Sequence, residues 1–125
     1  MSNYEKSRCL KTVDKLEEKI DLSPFSKCKT VIVNGNHDDI IYPENMEHLF
    51  IDNTWNSQTL DLRSFSKLKR LFCYFEYLEY FSENNELHLL LPSHLELVEL
   101  SGDEIIIDNL DEIEIDAFYI DNELQ

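Results

Sequence analysis

Apolar residues recur along the chain at the first, fourth and sixth positions of short segments. The four clearest instances begin at Cys28, Met46, Leu68 and Leu95, and a weaker fifth begins at Leu110. Within each instance the last two apolar residues alternate with others, which is the period of a strand with one buried face. The pattern predicts five short strands, with these inward residues: Cys28, Val31, Val33, Met46, Leu49, Ile51, Leu68, Leu71, Cys73, Leu95, Val98, Leu100, Leu110, Ile113 and Ile115.

The chain also matches itself over longer segments. Residues 20–33, IDLSPFSKCKTVIV, align with residues 60–73, LDLRSFSKLKRLFC, at an offset of 40. Residues 40–51 align with residues 89–100 at an offset of 49, so the second unit carries nine extra residues within 74–88. Two ordered matches in so short a chain indicate a repeat protein.

These segments resemble the leucine-rich repeat family, whose signature is LxxLxLxxN. The resemblance covers roughly residues 20–118 and is greatest to irregular intracellular repeats of protists, in which Ser-Phe-Ser-Lys-Leu-Lys-x-Leu segments recur. It implies an α/β or mostly β solenoid with a short curved parallel sheet, one strand per turn, and partner binding on the concave face. Spacings of 18, 22, 27 and 15 residues and a mostly absent ninth-position Asn make this chain irregular.

A solenoid exposes apolar core and unpaired strand edges at its ends, so caps are expected. Residues 1–19 are predicted to form an amphipathic helix that covers the first turn, and residues 20–125 to form the solenoid with an acidic C-terminal end. A membrane-surface helix is the alternative, which the mixed charges disfavour. The apolar residues of this predicted helix that recur at helical spacing are Cys9, Leu10, Val13, Leu16 and Ile20.

The segment Gly35-Asn36-His37-Asp38 resembles a block of calcineurin-like metallophosphoesterases, in which Asn and His help to hold two metals. Asn36 is also the ninth position counted from Cys28, where the repeat signature has Asn. No His precedes Gly35, and a two-metal centre needs more ligands than the chain aligns. Asp108, Asp111 and Glu112 lack the spacing of a calcium loop. We therefore expect no catalysis, no metal site and no cofactor.

Charge is distributed unevenly along the chain. All 11 Lys and Arg lie in residues 1–70, beside 11 Asp and Glu, whereas residues 71–125 contain 15 Asp and Glu and neither Lys nor Arg. Such an acidic end repels nucleic acid and anionic membranes, and indicates either a basic protein partner or a solvated surface. The absence of a signal peptide or membrane-length apolar run, and three Cys in apolar surroundings, predict a cytoplasmic protein with reduced thiols.

The residues between the inward ones are predicted to lie on the concave face. Exposed aromatic residues on such a face anchor partners, and acidic flanks steer basic ones. A register slip of one residue would instead bury Phe50 and Phe72. The predicted protein-binding residues are Ile32, His48, Phe50, Arg70, Phe72, Tyr74, Glu99, Glu112 and Glu114.

The sequence thus favours a non-catalytic protein–protein interaction module. A small acidic inhibitor or immunity-type protein that covers a basic site of an enzyme is the alternative, and a metallophosphoesterase remnant is the third hypothesis. Self-association through the C-terminal end stays open. The aromatic segment 74–86 is predicted to pack as a short outer helix or to form a recognition loop.

Overall fold

The computed structural model describes residues 10–13, 20–34, 40–53, 58–75, 86–102 and 105–125. These residues form mostly strand, and the one helical element among them is a 3₁₀ turn at Leu110–Glu112. The strands in chain order are β1 Leu10–Val13, β2 Ile20–Asp21, β3 Thr30–Asn34, β4 Ile40–Ile41, β5 His48–Asn53, β6 Gln58–Asp61, β7 Arg70–Phe75, β8 Leu87–Leu90, β9 His94–Ser101, β10 Ile105–Ile107, β11 Glu114–Ile120 and β12 Glu123–Leu124.

The chain alternates between one large sheet and two smaller ones. The large sheet has the order β1-β3-β5-β7-β9-β11-β12, with parallel neighbours as far as β11 and an antiparallel β12 at the end. The smaller sheets, β10-β8-β6 and β2-β4, are also parallel. The predicted mostly β class and its parallel sheet are therefore confirmed.

The predicted strand register is confirmed for β3, β5, β7 and β9. Thr30 pairs with His48, His48 with Arg70, and Arg70 with Leu97. All twelve predicted inward residues of these strands are buried. Burying one large aliphatic side chain contributes about 1.5–3 kcal/mol, whereas a cross-strand pair on the other face contributes about 0.2–1 kcal/mol. The buried set therefore fixes the register.

The fifth instance of the pattern begins five positions later than the sequence predicts. Leu95 pairs with Ile115, so the inward positions of β11 belong to Ile115, Phe118 and Ile120. Leu110, predicted to be inward, is 44% exposed. The prediction was wrong for Leu110, because the chain uses residues 109–113 to turn from β10 back to the large sheet, through the 3₁₀ turn. Ile113 and Ile115, which were also predicted to be inward, do pack against the core.

The internal repeat is reproduced in backbone hydrogen bonds. In the first unit the Phe25 N–H donates to the Leu22 carbonyl at 3.0 Å, and the Cys28 N–H donates to the Phe25 carbonyl at 2.9 Å. The residues 40 positions further along make the same two bonds, at 3.1 and 3.0 Å. The Phe-Ser-Lys segments therefore turn the chain into β3 and β7 in the same way.

The described part of the predicted N-terminal helix is a strand. Leu10–Val13 forms β1, which pairs in parallel with β3 from Leu10 opposite Thr30 to Val13 opposite Val33. The helical spacing of apolar residues carries no information about the edge of β3. That edge offers unpaired backbone groups, which a strand satisfies and a helix does not. The other residues of 1–19 lie outside the described ranges.

The smaller sheets close the core from the other side. Phe25 and Phe65 pack against this core, and the rings of Tyr42 and Phe65 meet edge to face with centroids 6.0 Å apart. Cys28 and Cys73 are buried, as predicted. The described residues include no helix that is long and apolar enough to cross a membrane. The buried leucines on this side are Leu22, Leu62, Leu87, Leu89 and Leu91.

Candidate binding face of the large sheet

The large sheet has a second face, opposite the core, which we call the open face. On β3, β5, β7, β9 and β11 its side chains alternate with the inward ones, and those with described side chains are partly or fully exposed. The described residues of the open face on β3, β5, β7 and β9 are Thr30, Ile32, His48, Phe50, Asp52, Arg70, Phe72, Tyr74, Leu97, Glu99 and Ser101, and Ala117 and Tyr119 continue it on β11.

A stacked aromatic pair lies in the middle row of this face. The rings of Phe50 and Phe72 lie 4.5 Å apart between centroids, with 3° between their planes. Both rings are partly exposed, whereas their neighbours Leu49 and Ile51 are fully buried. The register slip that would have buried these phenylalanines therefore does not occur. The full middle row reads Ile32, Phe50, Phe72, Glu99 and Tyr119.

Charged side chains of both signs border the aromatic pair, with Arg70 as the cation and Glu99 and Asp52 as the anions. Arg70 is exposed in the row on the N-terminal side of the strands, and Tyr74 is 43% exposed in the row on the C-terminal side. Partial burial raises the pKa of Tyr74, and the carboxylates of Glu99 and Asp52 raise it further. The phenol of Tyr74 can donate a hydrogen bond to a ligand from these acidic surroundings.

Two predicted residues of the face lie elsewhere. Glu114 pairs with His94 at the start of β11 and is not in the middle row, and Glu112 lies in the 3₁₀ turn. Tyr119 takes the place that the sequence assigned to Glu114. The sequence held a signal for it, because Ile115, Phe118 and Ile120 also have the 1-4-6 spacing, with an aromatic residue at the fourth position.

A row of charged side chains runs along the corner where the strands of the large sheet begin. This corner row consists of the second position of each repeat. The carboxylate of Glu47 binds the ammonium groups of both Lys29 and Lys69, and these hydrogen bonds lower the pKa of Glu47. The carbonyl of Lys29 also accepts the N–H groups of Glu47 and His48, at 2.8 and 2.9 Å. The corner row reads Lys29, Glu47, Lys69, Glu96 and Asp116.

At the acidic end of the corner row, Asp116 and two neighbouring residues form the group of described side chains that could hold a metal ion. Ligand atoms of His94, Glu114 and Asp116 all lie within 4.8 Å of one another, and all three side chains are exposed. His94 Nε2 is 3.0 Å from Asp116 Oδ1, a contact that raises the pKa of His94 and favours the imidazolium. Exposed groups of acidic side chains like this one are common without a bound ion. We therefore assign no metal to this cluster.

Several sequence motifs fall outside the described ranges. They include the Gly35-Asn36-His37-Asp38 segment and the aromatic residues between 76 and 85, so the structure does not bear on either hypothesis. Asp108, considered for calcium, contacts His88 Nδ1 at 3.0 Å.

Comparisons of this chain with protein-family models, with curated proteins and with solved structures find no match. The resemblance to leucine-rich repeats therefore stays a hypothesis.

Proposed function

We propose that the protein is a non-catalytic protein–protein interaction module, built as an irregular leucine-rich-repeat-like solenoid that binds its partner on the open face. Two features support the solenoid. One copy of the 1-4-6 pattern accompanies each of β3, β5, β7 and β9, and the chain alternates between the large and the smaller sheets. The observation that carries the binding function is the partly exposed Phe50–Phe72 stack at the centre of the face.

Aromatic side chains in the centre of a face contribute a large share of the binding energy at protein interfaces. Cross-strand stacking also stabilises a sheet, by about 0.5–1.5 kcal/mol beyond the buried area. A role in sheet stability does not by itself explain why Arg70, Tyr74 and Glu99 surround the pair. These residues offer hydrogen-bond donors and acceptors at its margin. An apolar centre with a polar rim is the usual anatomy of a protein interface.

The partner's chemistry follows from this arrangement. An apolar side chain would cover the phenylalanine rings, and a basic group would lie near Glu99 and Asp52. The acid-rich second part of the chain would steer a partner of that charge.

A pull-down from cell lysate at low and high salt tests the proposal. Phe72→Glu places a charge in the aromatic pair, and Leu110→Glu is the matched control, because it removes an exposed apolar side chain away from the face. We expect wild type and Leu110→Glu to retain the same partner. We expect Phe72→Glu to lose it at both salt concentrations. Circular dichroism of each variant verifies folding.

The acidic-inhibitor hypothesis is favoured by one specific observation. Exposed carboxylates of Glu96, Glu114 and Asp116 lie together at the start of β9 and β11. That hypothesis predicts a partner unaffected by Phe72→Glu but released by salt, because exposed charge pairs are screened at high ionic strength. Such a result would contradict binding on the open face.

A further inference from the structure

A cleft with basic side chains opens beside the corner row, away from the aromatic pair. Its volume is about 650 Å³. Four Lys and Arg side chains line it against two carboxylates, in a chain whose net charge is −15. Within the described ranges, cations therefore outnumber carboxylates in this cleft although the chain as a whole is acidic. The polar side chains that line it include Arg63, Ser66, Lys67, Lys69 and Ser93.

The cationic side chains of the cleft differ in their hydrogen-bond partners. The guanidinium of Arg63 binds both carboxylate oxygens of Asp61, at 2.9 and 2.7 Å, which lowers the pKa of Asp61 to about 2. Lys69 binds Glu47. Lys67 Nζ instead donates to the neutral amide oxygen of Asn45, at 2.8 Å.

The Lys67 ammonium is thus held in position without being neutralised. Asn45 is itself fixed, since its Nδ2 donates to the Ser26 carbonyl at 2.7 Å. An ammonium group has three donors, and the bond to Asn45 uses one of them. The full positive charge of Lys67 is therefore available to a ligand in the cleft.

We propose that this cleft binds a phosphate monoester, with Lys67 as the central cation and with the hydroxyl groups of Ser66 and Ser93 as further donors. A phosphate dianion accepts several hydrogen bonds, and those from cations are roughly twice as strong as neutral ones. The site is separate from the open face and does not depend on the function proposed for it. The monoester belongs either to a phosphorylated residue of a partner protein or to a free phosphorylated metabolite.

The internal repeat supplies a matched control for Lys67. Lys27 is the same position in the first unit, is exposed, and does not line the cleft. Lys27→Gln and Lys67→Gln therefore change the net charge equally and differ in location and in the bond of Lys67 to Asn45.

The experiment is an NMR titration of the full chain at low ionic strength. The probes are a phosphoserine peptide, glucose 6-phosphate, and the unphosphorylated form of each. We expect binding of a phosphorylated probe and not of its unphosphorylated form, with amide shifts around Ser66 and Ser93. Lys67→Gln should weaken binding roughly tenfold or more, and Lys27→Gln less than about twofold, as expected for a distant, screened charge. Amide spectra of both variants verify the fold.

The two phosphorylated probes distinguish the sources. Tighter binding of the peptide assigns the site to a phosphorylated partner, and tighter binding of the sugar phosphate assigns it to a metabolite. The proposal is overturned if neither probe shifts the cleft amides at millimolar concentration. It is also overturned if both lysine variants weaken binding equally, because the attraction would then be unspecific.

Discussion

The side-chain amide of Asn109 binds both polar backbone groups of Leu91. The Leu91 N–H donates to Asn109 Oδ1 at 2.9 Å, and Asn109 Nδ2 donates to the Leu91 carbonyl at 2.8 Å. Asn109 is the one buried polar side chain among the described residues. Leu91 follows the last residue of β8, so the amide satisfies backbone groups where the smaller sheet ends.

Replacing this amide leaves two buried backbone groups without partners. An unsatisfied buried group costs about 1–3 kcal/mol, so we expect Asn109→Ala to lower the free energy of unfolding by roughly 2–4 kcal/mol. Urea denaturation measures the change. Asn45→Ala is the control, because Asn45 also bonds a carbonyl but is partly exposed, and its loss should cost less than about 1 kcal/mol. Equal effects of the two variants would contradict the role of Asn109.

The register of β11 can be tested by stability. Leu95 and Leu110 have the same place in the predicted 1-4-6 pattern, but Leu95 is fully buried and Leu110 is 44% exposed. We expect Leu95→Ala to cost about 2–5 kcal/mol and Leu110→Ala to stay within about 0.5 kcal/mol of wild type. Chemical denaturation gives both numbers, and a large loss with Leu110→Ala would restore the earlier register.

His88 links stability to pH. Its Nδ1 lies 3.0 Å from Asp108 and its Nε2 lies 2.8 Å from Glu86, and these hydrogen bonds raise the pKa of His88 above its ordinary value of 6.5. A pKa raised in the folded state stabilises the fold below 6.5, and this contribution disappears as pH rises through the raised value. We therefore expect the free energy of unfolding to fall from about pH 6.5 upward, and less steeply in His88→Gln.

An NMR titration of the histidine ring protons measures this pKa directly. Asp108→Asn should lower the pKa of His88 and leave that of His94 unchanged, because Asp116 is the main cause of the His94 shift. A wild-type His88 that titrates at or below 6.5 would refute the linkage.

The thiol of Cys73 should be unreactive in the folded protein. Burial raises the pKa of Cys73 to about 12, and the thiolate is the reactive form. We expect iodoacetamide at about pH 8 to modify Cys73 only in denaturant, given the low thiolate fraction. Peptide mass spectrometry reads the modification, and an introduced exposed thiol, Ser64→Cys, should react in the native protein. Rapid native modification of Cys73 would show that the core opens.

The repeat spacing predicted more of the fold than of the site. It located β3, β5, β7 and β9, their buried residues and their mutual register, because the two faces of each strand differ strongly in apolar content. It also placed Phe50 and Phe72 outward. It could not predict that their rings stack on each other, because a strand pattern does not give the orientation of a side chain.

The sequence by itself determined which residues of the first four repeats are buried, since burial of large aliphatic side chains outweighs every competing contact there. Only the tertiary structure decided the rest. In the acidic end, apolar and acidic residues alternate in a way that fits two registers. Pairing with β9 selected the register that begins at Ile115 over the one that begins at Leu110. The edge of β3 made Leu10–Val13 a strand. The basic cleft combines Arg63, Lys67 and Lys69, which are close in sequence, with Lys29 and Ser93, which only folding brings beside them.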